Sequence, residues 1–253
     1  MAPLYIALVI FGVIFSGALL GVGLHRWLPE HHVGDNSKDV VRLVMGLIGT
    51  MAALVLGLLI ASAKSSYDTQ SGELVQLAAQ IVQLDRILSA YGPEATEARA
   101  QFRSAVEVAV DRIWPSDRPG SANLALPGNA NVPTTSYAMI ANLEPRTAVQ
   151  RVAQSRALEI AIDLSKTRVL MYEQSGSSIS WPFLVVLVFW LLILFMGFGL
   201  FAPTNTTVIV TLLVGALSVS GAIFLILELD EPYVGLMHLS SAPLRNALAQ
   251  IGP

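Results

Sequence analysis

Lys64 and Asp68 stand one helical turn apart just past a long apolar run, and Gly46, Thr50, Ala53, Gly57 and Ala61 lead up to them at intervals of three and four. On an α-helix this spacing puts all seven positions on one face. Such a face suits two tasks: letting another helix approach closely, or leaving room for an ion path whose mouth carries charge. Leu43, Leu47, Met51, Leu54 and Leu58 crowd a second face of the same run. The plainer reading of the small face is helix packing, and of Lys64 and Asp68 a favourable surface pair.

Other chemistry has less to work with. His25, Glu30, His31 and His32 cluster in sequence, but adjacent histidines point apart on regular structure and no second carboxylate is well placed for a metal. An interfacial loop is the better reading, and neither a metal nor a cofactor is expected. There is no Ser/His/Asp set, no phosphate-cradling glycine loop and no cysteine. The apolar runs carry essentially no ionisable residue between their ends, where an intramembrane enzyme or a proton-coupled transporter would show them. The chain does not read as an enzyme.

The elements that must position the small face follow from composition. The chain is 54% hydrophobic and only 13% charged, with a mean hydropathy of +0.62. A soluble domain carries about 25% charged residues, so the balance marks a multispanning membrane protein whose first partner is the lipid bilayer. A net charge of −3 leaves no footprint for nucleic acid.

Four apolar runs are long enough to cross a bilayer: 4–24, 40–63, 181–201 and 208–229. They form two transmembrane hairpins, 1–63 and 181–229, and a tail follows over 230–253. Gly17 and Gly21 make a small-xxx-small pair in the first run, which is read as a retained span because no basic segment precedes it. Asn36 or Ser37 is expected to cap the helix carrying the second run. Trp27, Trp181 and Tyr233 are read as anchors at the membrane surface.

Between the hairpins, residues 64–180 form a helical soluble insert. Leu74, Leu77, Ile81, Leu84, Leu88 and Tyr91 make a heptad seam that extends the second run until Gly92-Pro93 ends it. An amphipathic helix follows over Glu94–Trp114, with Phe102, Val106, Ala109 or Val110, and Ile113 inward. Residues 115–133, rich in Pro and Gly, read as a loop. Pro145 is expected to open a helix to about Gln174 with Leu158, Ile162, Ser165, Val169 and Tyr172 as its seam, and Pro243 a short surface helix to Gln250.

The stretch Gly46–Asp85, GLIGTMAALVLGLLIASAKSSYDTQSGELVQLAAQIVQLD, resembles the second helix of bacterial bestrophin anion channels. It looks closer still to a bestrophin-like membrane family with no assigned function. The triplet Leu84-Asp85-Arg86 and the pair Ile113-Trp114 are similar to that family's positions, although Thr69 and Gln70 stand where bestrophins carry an aromatic pair. The resemblance implies an all-α membrane protein, four transmembrane helices with the insert between spans two and three, and a homo-oligomer, five copies in bestrophins. It also implies a cytoplasmic insert, which the distribution of Lys and Arg does not decide. Gly57, Ser66, Tyr67 and Asp68 map onto the family's motif. The expected function is an oligomeric channel passing small anions along Gly46, Thr50, Ala53, Gly57, Ala61, Lys64 and Asp68. The alternative is a non-conducting membrane scaffold that binds a partner through its soluble bundle; a monomer or dimer would favour it.

Overall fold

The computed structural model describes residues 2–25, 35–114, 132–174, 181–203, 205–230, 233 and 236–252. Helices joined by short turns make them up: α1 (Ala2–His25), α2 (Asp35–Tyr91), α3 (Thr96–Ile113), α4 (Val132–Ala141), α5 (Ala148–Gln174), α6 (Trp181–Phe201), α7 (Thr206–Asp230) and α8 (Ala242–Gln250), with a 3-10 turn at Pro93–Ala95. No strand occurs among the described residues. Four helices are long and apolar enough to cross a membrane, α1, α2, α6 and α7, in agreement with the four apolar runs. The chain divides into two units, 1–66 with 177–230 and 67–176 with 231–253. Helix α2 supplies residues to both.

In the first unit α1 packs on both α6 and α7. Apolar association gives little drive between helices inside lipid, so close backbone approach and dispersion must hold them. Gly21 lies directly on the carbonyl of Met196, and Gly199 on the carbonyl of Ala18, so the pair expected from Gly17 and Gly21 is a real contact surface. Ser220 Oγ donates 2.6 Å to the carbonyl of Ala7, satisfying a hydroxyl that would otherwise be orphaned among apolar side chains. Helix α2 buries Met45, Ala52, Leu59 and Ala63 in the same core.

In the second unit the heptad seam is buried at every position from Leu74 to Tyr91. It packs with Phe102, Val106 and Val110 of α3, Ile140 of α4, Ile160 and Leu164 of α5 and Leu244 of α8. Helix α2 ends where expected: Gly92 takes φ 121°, a conformation open to glycine at little cost.

Several expectations need correction. Helix α2 starts at Asp35, so Asn36 and Ser37, expected just before it, lie inside its first turn. The loop expected over 115–133 stops short of its end, because α4 begins at Val132 and places Pro133 in a first turn, where a missing N–H costs nothing; residues 115–131 lie outside the described set. Helix α5 begins at Ala148, not at Pro145. Its start is a capping box: the Gln150 N–H donates to Thr147 Oγ1 at 3.1 Å and the Thr147 N–H to Gln150 Oε1 at 3.2 Å.

The α5 seam was expected one face away from where it lies. Ala157, Ile160, Ala161, Leu164, Thr167 and Met171 are buried, whereas Ile162 and Val169 are 42% and 46% exposed. The C-terminal helix also does more than lie on a surface, since Leu244, Ala247 and Ile251 are buried in the core of the second unit. Two side chains of α3 and its end hold this segment: Trp114 Nε1 donates 3.0 Å to the Leu239 carbonyl, and Arg103 donates to the carbonyl of Ile251. Tyr233, expected at the membrane surface, is 6% exposed in that same core, and burial, with the Glu73 charge second, pushes its hydroxyl well above the usual phenol range.

The Asp85 of the Leu-Asp-Arg triplet has a clear structural task. Arg99 of α3 grips it with two hydrogen bonds, Nε to Oδ1 at 2.9 Å and Nη2 to Oδ2 at 3.0 Å, and these hold the guanidinium above its ordinary value. The carboxylate is 8% exposed and the arginine side chain 19%. Arg99→Ala is therefore expected to lower the unfolding free energy by about 2–3 kcal/mol, because it strands a buried charge. Asp85→Leu combined with Arg99→Leu should recover most of that loss. Denaturant unfolding of the detergent-solubilised full chain checks both, and equal losses in the single and double variants would contradict the pairing.

Candidate functional site

The face formed by Gly46, Thr50, Ala53, Gly57 and Ala61 turns away from the core. Each is exposed, as is Lys64. The buried residues of the same stretch, Met45, Ala52, Leu59 and Ala63, lie roughly 130° around the helix at 100° per residue. A Cβ added at Gly46 or Gly57 would meet no atom within 4 Å. Gly17, Gly21 and Gly199 behave in the opposite way, since each is closed over by a neighbouring helix. Gly17 and Gly21 of α1 and Gly197 and Gly199 of α6 are thus used inside the chain, whereas Gly46 and Gly57 on the small face of α2, like Gly12 and Gly23 of α1, are not.

The leucine face is also outside. Leu43, Leu47, Leu54 and Leu58 are 76%, 61%, 74% and 64% exposed, so the described residues do not cover this face either. Helix α2 consequently presents two outer faces of different character, one bulky and apolar, the other small with a single hydroxyl at Thr50. The Thr50 hydroxyl donates 2.8 Å back to the Leu47 carbonyl, so its hydrogen is satisfied within the helix.

Of the motif residues, Asp68 is exposed and continues the small face by helical spacing. Ser66 and Tyr67 do not join it. Both are half-buried, and Tyr67 packs against the core of the second unit. Their place in the motif is consistent with packing at the start of the soluble segment. Arg86 of the triplet is exposed, while its neighbour Asp85 takes the ion pair.

Glu30, His31, His32 and Trp27 lie outside the described residues. His25 is described, and its Nδ1 lies 2.8 Å from the carbonyl of Leu200, tying the end of α1 to that of α6. Among the described residues no group of three His, Cys, Asp or Glu side chains is gathered about one point. Two features escaped the sequence reading. Glu228 and Asp230, at the end of α7, are 4% and 8% exposed, and the sequence shows only their proximity to the apolar run. Arg168 of α5 is half-buried, its guanidinium pulled below the ordinary value first by burial and then by the charge of Arg112; two arginines fifty-six positions apart leave no local pattern.

Comparison with known proteins adds one match. The family model of the Bestrophin-like domain covers residues 11–244. Neither a curated protein nor a solved structure matches the chain.

Proposed function

The chain belongs to the bestrophin-like family, and from that premise we propose that copies of it assemble into a ring in the cell membrane, with the small face of α2 lining a path for small anions. The insert lies in the cytoplasm and the second helices are innermost. The observation that carries this reading is the open space outside Gly57, in the middle of the small face. Small residues that serve packing within a chain are covered by that chain. These are not, and lipid contact selects large apolar side chains rather than a row of small ones.

The second unit supports assembly as well. Val149 and Val152, neighbours on α5, are 73% and 70% exposed, an apolar patch that a solvated surface would not favour and a second copy would cover. The path needs no charge within the membrane: helix dipoles and apolar constrictions suffice for a selective pore. Lys64 stands at the cytoplasmic mouth, where its field concentrates anions, and Asp68 one turn on tempers it.

The test is halide flux into liposomes carrying the purified full chain, together with its oligomeric mass in detergent. A ring, five copies in bestrophins, with flux above that of empty liposomes supports the proposal. A monomer or dimer without flux, across varied pH and calcium, overturns it in favour of a scaffold acting through the soluble bundle. Lys64→Glu should lower anion preference over cations in low salt. That difference should fade toward molar salt, where the screening length falls to about 3 Å. Reversal potentials measured at two ionic strengths decide this, and an unchanged selectivity would remove Lys64 from the mouth.

A further inference from the structure

A groove of about 460 Å³ runs between α2 and α6 within the first unit, lined among others by Arg42, Gly46, Gly49, Gly197, Phe198 and Phe201. Its size is that of a ligand site. The thioether of Met45 closes the floor, since a Cβ added at Gly197 would stand 2.7 Å from that sulfur. At Gly49 the nearest side chain, Leu194, is 4.0 Å from such a Cβ, and at Gly46 nothing lies within 4 Å, so the groove opens outward there. Gly46 and Gly49 leave a trough where side chains would otherwise stand, and Met45 fills the place that a side chain at Gly197 would take.

The two ends of the groove differ in chemistry. From Met45 to Gly49 and along α6 the lining is uncharged. At the other end stands Arg42, one turn before Gly46 and the sole charged residue of the lining among the described residues. That end is the polar boundary of the unit: α6 stops at Phe201 and α7 begins at Thr206, with the His25 ring bonded to Leu200 at the same level. Arg42 has Asp39 at 3.8 Å, and both side chains are largely exposed, 69% and 74%. That separation is too long for a hydrogen bond, and exposed pairs of this kind restrain little.

We propose that the groove holds one membrane phospholipid, with an acyl chain lying along Gly46 and Gly49 and the phosphate on Arg42. An apolar trough that opens between membrane helices faces hydrocarbon, and a chain segment fills it without exposing any polar group. The distance fits: seven residues separate Arg42 from Gly49, about 10 Å along the axis, which runs from the headgroup level into the acyl region. Guanidinium is the side-chain cation whose planar fork matches two phosphate oxygens. The proposal does not depend on ion conduction. A lipid here would prop α2 against α6 and take Gly46, the end of the small face remote from Lys64, so that an ion path along that face would run from Thr50 to Ala61.

Native mass spectrometry of the purified full chain, titrated with phosphatidylglycerol or with a diacylglycerol of the same chains, tests this. The expected result is a single phosphatidylglycerol retained at energies that strip the diacylglycerol. Arg42→Gln should weaken phosphatidylglycerol about tenfold or more, the loss of one charge-assisted contact, and leave diacylglycerol unchanged. Gly46→Leu, whose side chain enters open space, should weaken both lipids while the melting temperature stays that of the wild type. Equal retention of the two lipids by the wild type would overturn the role of Arg42. Full retention by Gly46→Leu would overturn the groove itself. Efficient disulfide formation between copies through cysteines placed at Gly46 and Phe198, with no lipid retained, would show that a second copy occupies the groove instead.

Discussion

Gly21→Leu is expected to abolish the folded first unit, whereas Gly23→Leu, two residues on, is expected to leave it unchanged. A Cβ at Gly21 would clash with the carbonyl oxygen of Met196 and stand 2.9 Å from its carbon and 3.0 Å from the Leu200 nitrogen. All three obstacles are backbone, which has no rotamer to yield. The contact is reciprocal, because a Cβ at Gly199 would strike the Ala18 carbonyl and come within 3.0 Å of the Val22 nitrogen. Making room means pushing α1 off α6, which opens the packing around Ile14, Ala18 and Leu187, each of them 0% exposed. Lipid tails are as apolar as leucine, so water supplies no restoring force and the lost dispersion is not regained. The cost should exceed about 3 kcal/mol, in the range of severe overpacking. At Gly23 nothing lies within 4 Å of the added carbon, and the expected change is within about 0.5 kcal/mol. Thermal unfolding and size-exclusion profiles of the two variants in one detergent check this; a Gly21→Leu protein melting with the wild type would show that the close approach of α1 and α6 does not hold the unit together.

The difference between these glycines marks how far the sequence could be read. The pair Gly17 and Gly21 is recognisable as a packing motif from spacing alone, but its partner Gly199 is not. Helix α6 is apolar on every side, so no periodicity separates its buried face from its lipid face, and Gly197 and Gly199 look alike. The soluble half of α2 is the opposite case. There the medium is water, the apolar residues are confined to one stripe, and each seam position from Leu74 to Tyr91 is buried. On α5 the same reasoning failed because the buried stripe is built partly from Ala157 and Ala161. Small residues weigh little in a periodicity count, and the larger Ile162 and Val169 drew the reading to the wrong face.

Contacts distant in sequence were the least legible. Trp114 reaches Leu239 and Arg103 reaches Ile251 across more than a hundred residues, and no local pattern announces either. Hence Tyr233, an aromatic residue just past a span, looked like a membrane anchor and lies instead in a soluble core. For the candidate site, residue type and spacing gave the small face, but only the fold reveals that no part of the chain covers it. The same spacing would serve a helix buried inside its own subunit.

Gly57→Leu is expected to fold as the wild type does and to stop anion flux. Unlike Gly21, Gly57 has nothing within 4 Å of an added Cβ, so a leucine there displaces no atom of its own chain and the melting temperature should not fall. In a ring with the small faces of α2 inward, one substitution puts a leucine on every copy into the same level of the path. The bulk of several isobutyl groups narrows the passage, and their apolar surface disfavours the water column that an ion needs, so the constriction closes by dewetting as well as by size. Halide flux into liposomes of matched protein content should drop about tenfold or more, with Gly57→Ala between this variant and the wild type. Leu58→Ala is the control, since Leu58 belongs to the bulky face of α2 and not to the small one, 64% exposed, and its truncation should leave flux unchanged. A Gly57→Leu protein that assembles, melts normally and conducts like the wild type would take the small face out of the path. The stripe would then be an interface between copies, with the route for ions, if one exists, elsewhere.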